Sequence, residues 1–157
     1  MTHIFKPKAL LTSILISLGV GFISSLLTKN NINLYGEIVK PSVSPPSFVF
    51  PIVWTILFIL MGISAYLIYI SNSSYKNTAL KIYVAQLIVN FLWSIIFFNL
   101  QMYLFAFIWL LFLLTLIILM IVSFSKINKL AAYLQIPYLI WVIFAGYLNL
   151  AIYLLNK

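Results

Sequence analysis

The chain has 157 residues, of which 65% are hydrophobic and only 6% charged. A soluble domain of this length carries about 25% charged residues, so most side chains here must meet lipid rather than water. The net charge of +8 rests on nine lysines, no arginine and the single acid Glu37, and the absence of cysteine excludes disulfides, thiolate metal sites and a cysteine nucleophile.

Five apolar runs are long enough to cross a bilayer: 9–27, 48–70, 80–100, 103–124 and 130–155. They predict one all-α domain over residues 1–157, a bundle of five transmembrane helices. The first run lacks a small-x-small cleavage site and is read as a helix rather than a cleaved leader. Its Ser17, Gly21 and Ser25 form a small-residue stripe, suited to packing within the chain and, as the sharper alternative, to a dimer seam.

The long first loop, residues 28–47, is the only extended connection, and length alone makes it the candidate functional loop. It leads into KPSVSPPSFVFPIVWTILFILMG, residues 40–62, which holds four of the six prolines: Pro41, Pro45, Pro46 and Pro51. Proline fixes φ and keeps the preceding residue out of the α region, so Pro45-Pro46 predicts a stiff extended lead-in to the second helix, capped by Ser44 or Ser47. Trp54, Phe58 and Met61 then share one helical face.

In the third helix Gln86, Asn90 and Trp93 share a face at i, i+4, i+7. Their amides either bond neighbouring helices as packing glue or line a cavity for a polar ligand group; both need an inward-facing amide, and the spacing leaves both open. In the fifth helix Trp141, Ala145 and Asn149 share a face, with Pro137 one turn above and expected to kink it. Trp54 sits close enough to a helix start for an interfacial belt, whereas Trp93 and Trp141 lie nearer mid-span. Leu150, Tyr153 and Lys157 fit the loose cholesterol pattern, which helix endings meet by chance.

The lysines assign an orientation. With the N-terminus inside, Lys6, Lys8, Lys76, Lys81, Lys126 and Lys129 lie within, against Lys29, Lys40 and Lys157 outside. The long loop and C-terminus then face outward from the cell membrane. In this setting the basic charge reads as topology signal and headgroup contact, not as a nucleic-acid surface. His3 reads as solvated and Glu37 as a loop charge or partner of Lys40. No Ser/His/Asp set, carboxylate pair or metal cluster can be assembled, and no intramembrane charge of the kind that marks a proton-coupled pump is present. Acid–base or metal catalysis is not expected, and no cofactor is implied.

Three blocks in order carry a resemblance: KPSVSPPSFVFPIVWTILFILMGIS, QLIVNFLWSIIFF at residues 86–98, and IPYLIWVIFAGYLNL at residues 136–150. Together they resemble the TspO/translocator-protein family, the tryptophan-rich sensory proteins related to the peripheral benzodiazepine receptor. The resemblance implies a five-helix bundle, usually a homodimer, with a ligand pocket beneath the first loop that takes porphyrins such as protoporphyrin IX, sterols or other flat hydrophobic molecules. Matched position by position, Tyr35, Trp54, Asn90, Trp93, Trp141 and Ala145 are implied as pocket residues, with Phe58 on the pocket wall in place of the family tyrosine. Val43 stands where the family has tryptophan, Phe91 where some members have tryptophan, and Trp109 where some have an acid. The Tyr153/Lys157 pair is out of register with the family's sterol element. The implied function is a receptor or sensor, with a role in tetrapyrrole transport or regulation. The alternatives are light-dependent porphyrin degradation and a membrane scaffold for partner proteins.

Overall fold

A computed structural model of the chain describes residues 4–157, so the expectation for His3 lies outside the described residues. Every regular element among them is helical: α1 (Pro7–Thr28), α2 (Ile32–Glu37), α3 (Val49–Tyr69), α4 (Lys76–Ser94), α5 (Tyr103–Ser125), α6 (Lys129–Tyr133) and α7 (Ile136–Leu155). Among the described residues, five helices are long and apolar enough to cross a membrane, with α4 running on to Asn99 and α6 with α7 forming the last span. Leu15, Phe22, Phe112, Ile118 and Ile143 are exposed on the outside. Gln86 and Asn149 are buried within. That reverses the soluble pattern and is the arrangement hydrocarbon selects.

The helices form an open ring. α1 lies along α3, and both touch α4; α4 packs on α5, and α5 on α7. α6 bridges α5 and α3. α3 and α7 share no extended backbone packing, which leaves a seam in the bundle wall.

The α1–α3 contact explains the small residues. Ser17 Oγ donates to Phe58 O at 2.6 Å and Ser13 Oγ to Gly62 O at 2.7 Å. A Cβ added at Gly62 would lie 2.5 Å from Ile14 Cα, and one at Gly21 would meet the Phe58 ring at 2.5 Å. Ser17 and Gly21 are thus spent on packing within the chain, whereas Ser25 is exposed.

Three local expectations need correction. Neither Ser44 nor Ser47 caps α3: Phe48 occupies the cap position without a side-chain bond, and Val49 N donates instead to Pro46 O at 3.0 Å. Pro51 falls in the first turn of α3, where its missing N–H has no partner to lose. Pro137 does more than kink the fifth span: helix stops after Tyr133, Leu134 and Gln135 turn, and Pro137 opens α7 as its second residue. Lys40, offered as a partner of Glu37, donates to Tyr35 O at 2.7 Å.

After α4 the chain makes a π-helical turn, Ile95–Asn99, before Gln101 turns with φ 53° into α5. A wide turn inserts a residue and rotates those that follow, and such turns often occur at functional sites. Here it brings Phe97 and Phe98 to Tyr35 on α2.

The candidate ligand cleft

The first loop does not lie flat across the bundle. Asn156, at the end of α7, holds Val39 on both sides: Val39 N donates to Asn156 Oδ1 at 2.9 Å, and Asn156 Nδ2 donates to Val39 O at 2.7 Å. Phe50 then meets Trp141, with ring centroids 5.8 Å apart. At 1.5 Å per residue, the path along α7 from Asn156 back to Trp141 is about 22 Å. The proline segment therefore descends beside α7 as a strap, and α3 starts deep in the bundle. Proline suits this path, since an extended strap in apolar surroundings offers fewer unpaired amides when it carries fewer.

α2 covers the mouth. Tyr35 and Ile38 pack with Phe97, Ala106 and Ile152. The Tyr35 ring reaches Phe50 at 5.8 Å and Phe98 at 6.1 Å. Lys40 Nζ lies 4.8 Å from the Tyr35 ring centroid and also bonds the carbonyls of Tyr35 and Ile38, so its charge secures the end of α2. Burial pushes the Tyr35 phenol above its ordinary value of 10.0, with the neighbouring Ser44 hydroxyl a smaller opposing influence. Both hydroxyls are buried, and neither makes a hydrogen bond among the described residues.

Aromatic side chains span the seam that the backbones leave. Trp54 on α3 meets Tyr138 on α7 edge-on at 6.2 Å and Phe58 at 5.7 Å. With the Phe50–Trp141 pair, these contacts bridge the two helices. On the lipid side, Val53, Ile56, Leu57, Ile136, Pro137, Ile140, Trp141 and Phe144 line a groove of about 610 Å³. The groove is almost wholly apolar and opens outward over much of its surface. The indole Nε1 of Trp141 is buried with no acceptor among the described residues. Ala145, one turn along, is half-buried and adds no bulk beside the indole.

Tyr138 organises the polar floor. Asn90 Nδ2 donates to its hydroxyl at 2.7 Å, and that hydroxyl donates to Gln86 Oε1 at 2.7 Å. The two amides of α4 thus meet on one phenol of α7, and all three side chains are buried. Trp93 stacks on Phe97 at 5.2 Å and donates Nε1–H to Asn149 Oδ1 at 3.1 Å; Asn149 Nδ2 passes on to Tyr103 O at 2.8 Å. Trp109 Nε1 donates to Val89 O at 2.8 Å and ties α5 to α4.

The predicted residues therefore join in two connected groups. Trp54 and Asn90 meet at Tyr138, and Phe58 joins them through Trp54 while its ring also faces Gly21 on α1. Trp141 reaches Tyr35 through Phe50, and Tyr35 reaches Trp93 through Phe97. Sequence reasoning passed over Tyr138, Phe50 and Phe97. Tyr138 had a usable signal: it lies three residues before Trp141, on the same face of α7, and buried amides at mid-span need a partner.

The architecture and cleft define a five-span helical membrane protein whose incomplete wall is closed by aromatic side chains under a tethered loop. Known proteins of this class match it closely. The TspO/MBR family profile covers residues 13–155, and the chain belongs to that family. It is 40% identical to the tryptophan-rich protein TspO of Archaeoglobus fulgidus, over 94% of this chain and 96% of the relative. It is 39% identical to the protein of the same name from Chlorobaculum tepidum, over 88% and 90%. With the translocator protein of Homo sapiens it shares 31% identity, over 87% and 83%.

Proposed function

We propose that this protein is a membrane receptor or sensor for a porphyrin, such as protoporphyrin IX, or a similarly flat hydrophobic molecule held in the α3–α7 seam beneath α2. The observation that carries the reading is the seam itself. Two helices are kept apart by rings rather than by backbone contact, so a planar guest can take the place of ring-on-ring contacts without unpairing the helices. Trp54 and Trp141 supply faces for stacking. The unpartnered Trp141 N–H is a donor for a ligand oxygen, and donors buried without acceptors gain most from one. Membership of a family that includes translocator proteins supports a receptor role. The lysine distribution supports a cell-membrane orientation with the N-terminus inside and with the first loop and C-terminus outside.

Titration of the purified protein with protoporphyrin IX tests this through quenching of intrinsic tryptophan fluorescence. Trp54→Phe combined with Trp141→Phe is expected to weaken binding by roughly tenfold, because each phenyl offers less stacking area than an indole and position 141 loses its N–H donor. Binding is then best followed by porphyrin absorbance, since the fluorophores are altered. Unchanged affinity in the double variant would overturn the assignment of the pocket.

A further inference from the structure

We propose that the end of the bundle opposite α2 carries a specific site for an anionic phospholipid headgroup, built by Lys6 and Lys76 around Tyr69. The Lys6 ammonium lies 6.0 Å from the Tyr69 ring centroid and the Lys76 ammonium 5.8 Å from it. Two cations thus converge on one ring from separate segments, the lead-in to α1 and the start of α4.

Both are held in place. Lys6 N donates to Tyr66 Oη at 2.8 Å, which fixes the backbone of the first segment to α3. Lys76 Nζ donates to Tyr69 O at 3.2 Å and to Ser71 O at 3.1 Å, which leaves one of its three N–H groups for an outside acceptor. Carbonyls orient the Lys76 charge but do not neutralise it. The only carboxylate side chain of the sequence, Glu37, belongs to α2 at the other end of the bundle. Lys8, Lys81, Lys126 and Lys129 share the Lys6/Lys76 end and add to the same positive field.

The surroundings name the anion's source. Ile4, Phe5 and Tyr75 flank the two lysines and are strongly exposed, at 80%, 64% and 70%. Phe5 also packs edge-on against Tyr66 at 6.3 Å. An acyl glycerol carrying a phosphate satisfies both the cations and these apolar side chains; a free phosphate satisfies only the cations. The level is right as well, since Tyr69 ends a membrane span. Interfacial lysines attract anionic lipid with about 1 kcal/mol each. Occupancy would tie the start of α1 to the α3–α4 turn and so stabilise the α1–α3 pair.

The test uses the intact protein in nanodiscs of phosphatidylcholine, with and without phosphatidylglycerol. The measurements are the shift in thermal unfolding midpoint and the phosphatidylglycerol retained in native mass spectrometry. The wild type is expected to gain stability and to retain the lipid. Lys6→Gln with Lys76→Gln is expected to lose roughly thirty-fold or more in retention, on the scale of direct charge-assisted contacts to one phosphate rather than of general attraction. Lys126→Gln with Lys129→Gln, at the same end and with the same change of charge, is expected to keep most of it. Equal losses in the two pairs would mean general charge attraction and would overturn the site. So would full retention by the Lys6/Lys76 variant. An equal stabilisation by inorganic phosphate in phosphatidylcholine discs would overturn the lipid as source. Lys6→Arg with Lys76→Arg keeps the charge and is expected to retain the lipid. Loss there, with an unchanged midpoint in phosphatidylcholine, would count against headgroup pairing.

Discussion

Substituting Gly62 by alanine is expected to destabilise the bundle by about 2 kcal/mol, although alanine is the better helix former by about 1 kcal/mol. The cost lies in the approach of α1. The new methyl would stand 2.5 Å from Ile14 Cα and 2.9 Å from Ile14 N, and both are backbone atoms that cannot rotate away. α1 must therefore move outward as a unit. Overpacking of this kind costs about 1–3 kcal/mol. The displacement also stretches the bond from Ser13 Oγ to Gly62 O and the neighbouring one from Ser17 Oγ to Phe58 O, each worth on the order of 0.6 kcal/mol between membrane helices. Subtracting the gain in helix propensity leaves about 2 kcal/mol. Gly19→Ala is the matched control: it lies on α1 itself, and a Cβ there meets nothing within 4 Å. It is expected to be neutral or stabilising. Reversible unfolding in mixed micelles, titrated with a denaturing detergent, measures both. Equal midpoints for the two variants would refute the argument that close backbone approach, rather than glycine content, fixes α1 on α3.

Two further outcomes follow from the cleft. Tyr138→Phe keeps the ring beside Trp54 but strips the shared partner from Asn90 and Gln86, leaving two buried amide groups unpaired; a loss of about 1–3 kcal/mol in the same unfolding assay is expected. Asn156→Ala releases Val39, so hydrogen exchange at the Val39 amide should speed up by about tenfold, on the scale of one lost hydrogen bond, while exchange within α5 stays unchanged.

The five spans were legible because hydropathy acts over some twenty residues and tolerates local error. The face of Gln86, Asn90 and Trp93 was legible too, since helical spacing alone sets it. What those amides bond to was not. The choice between glue and ligand contact depended on Tyr138, one of ten tyrosines, and only the packing of α7 against α4 singles it out. The small stripe of α1 could be read as a contact surface; that its partner is α3 depends on Phe58 and Gly62, which share no local pattern with it. The strap was the least legible part. Its prolines announce stiffness, but its descent along α7 is set by Asn156, 117 positions away from Val39. The cap of α3 was missed because a prolyl carbonyl did the work expected of a serine.

The seam between α3 and α7 has a consequence for how such a protein can change over generations. The bonds that hold α1 and α6 to α3 run from Ser17, Ser13 and Ser64 to backbone carbonyls, and none involves the rings that face the cleft, whereas α4 and α7 are joined through Tyr138, Asn90, Trp93 and Asn149 at the cleft itself. On the α1 and α6 side the side chains that assemble the helices are therefore separate from the rings of the cleft, and on the α4 and α7 side they are the same residues. A tyrosine can become Phe58 without disturbing Ser17, whose bond is to the Phe58 carbonyl and is indifferent to the side chain. Side chains on the seam face of α3 can vary while these carbonyl bonds stay in place.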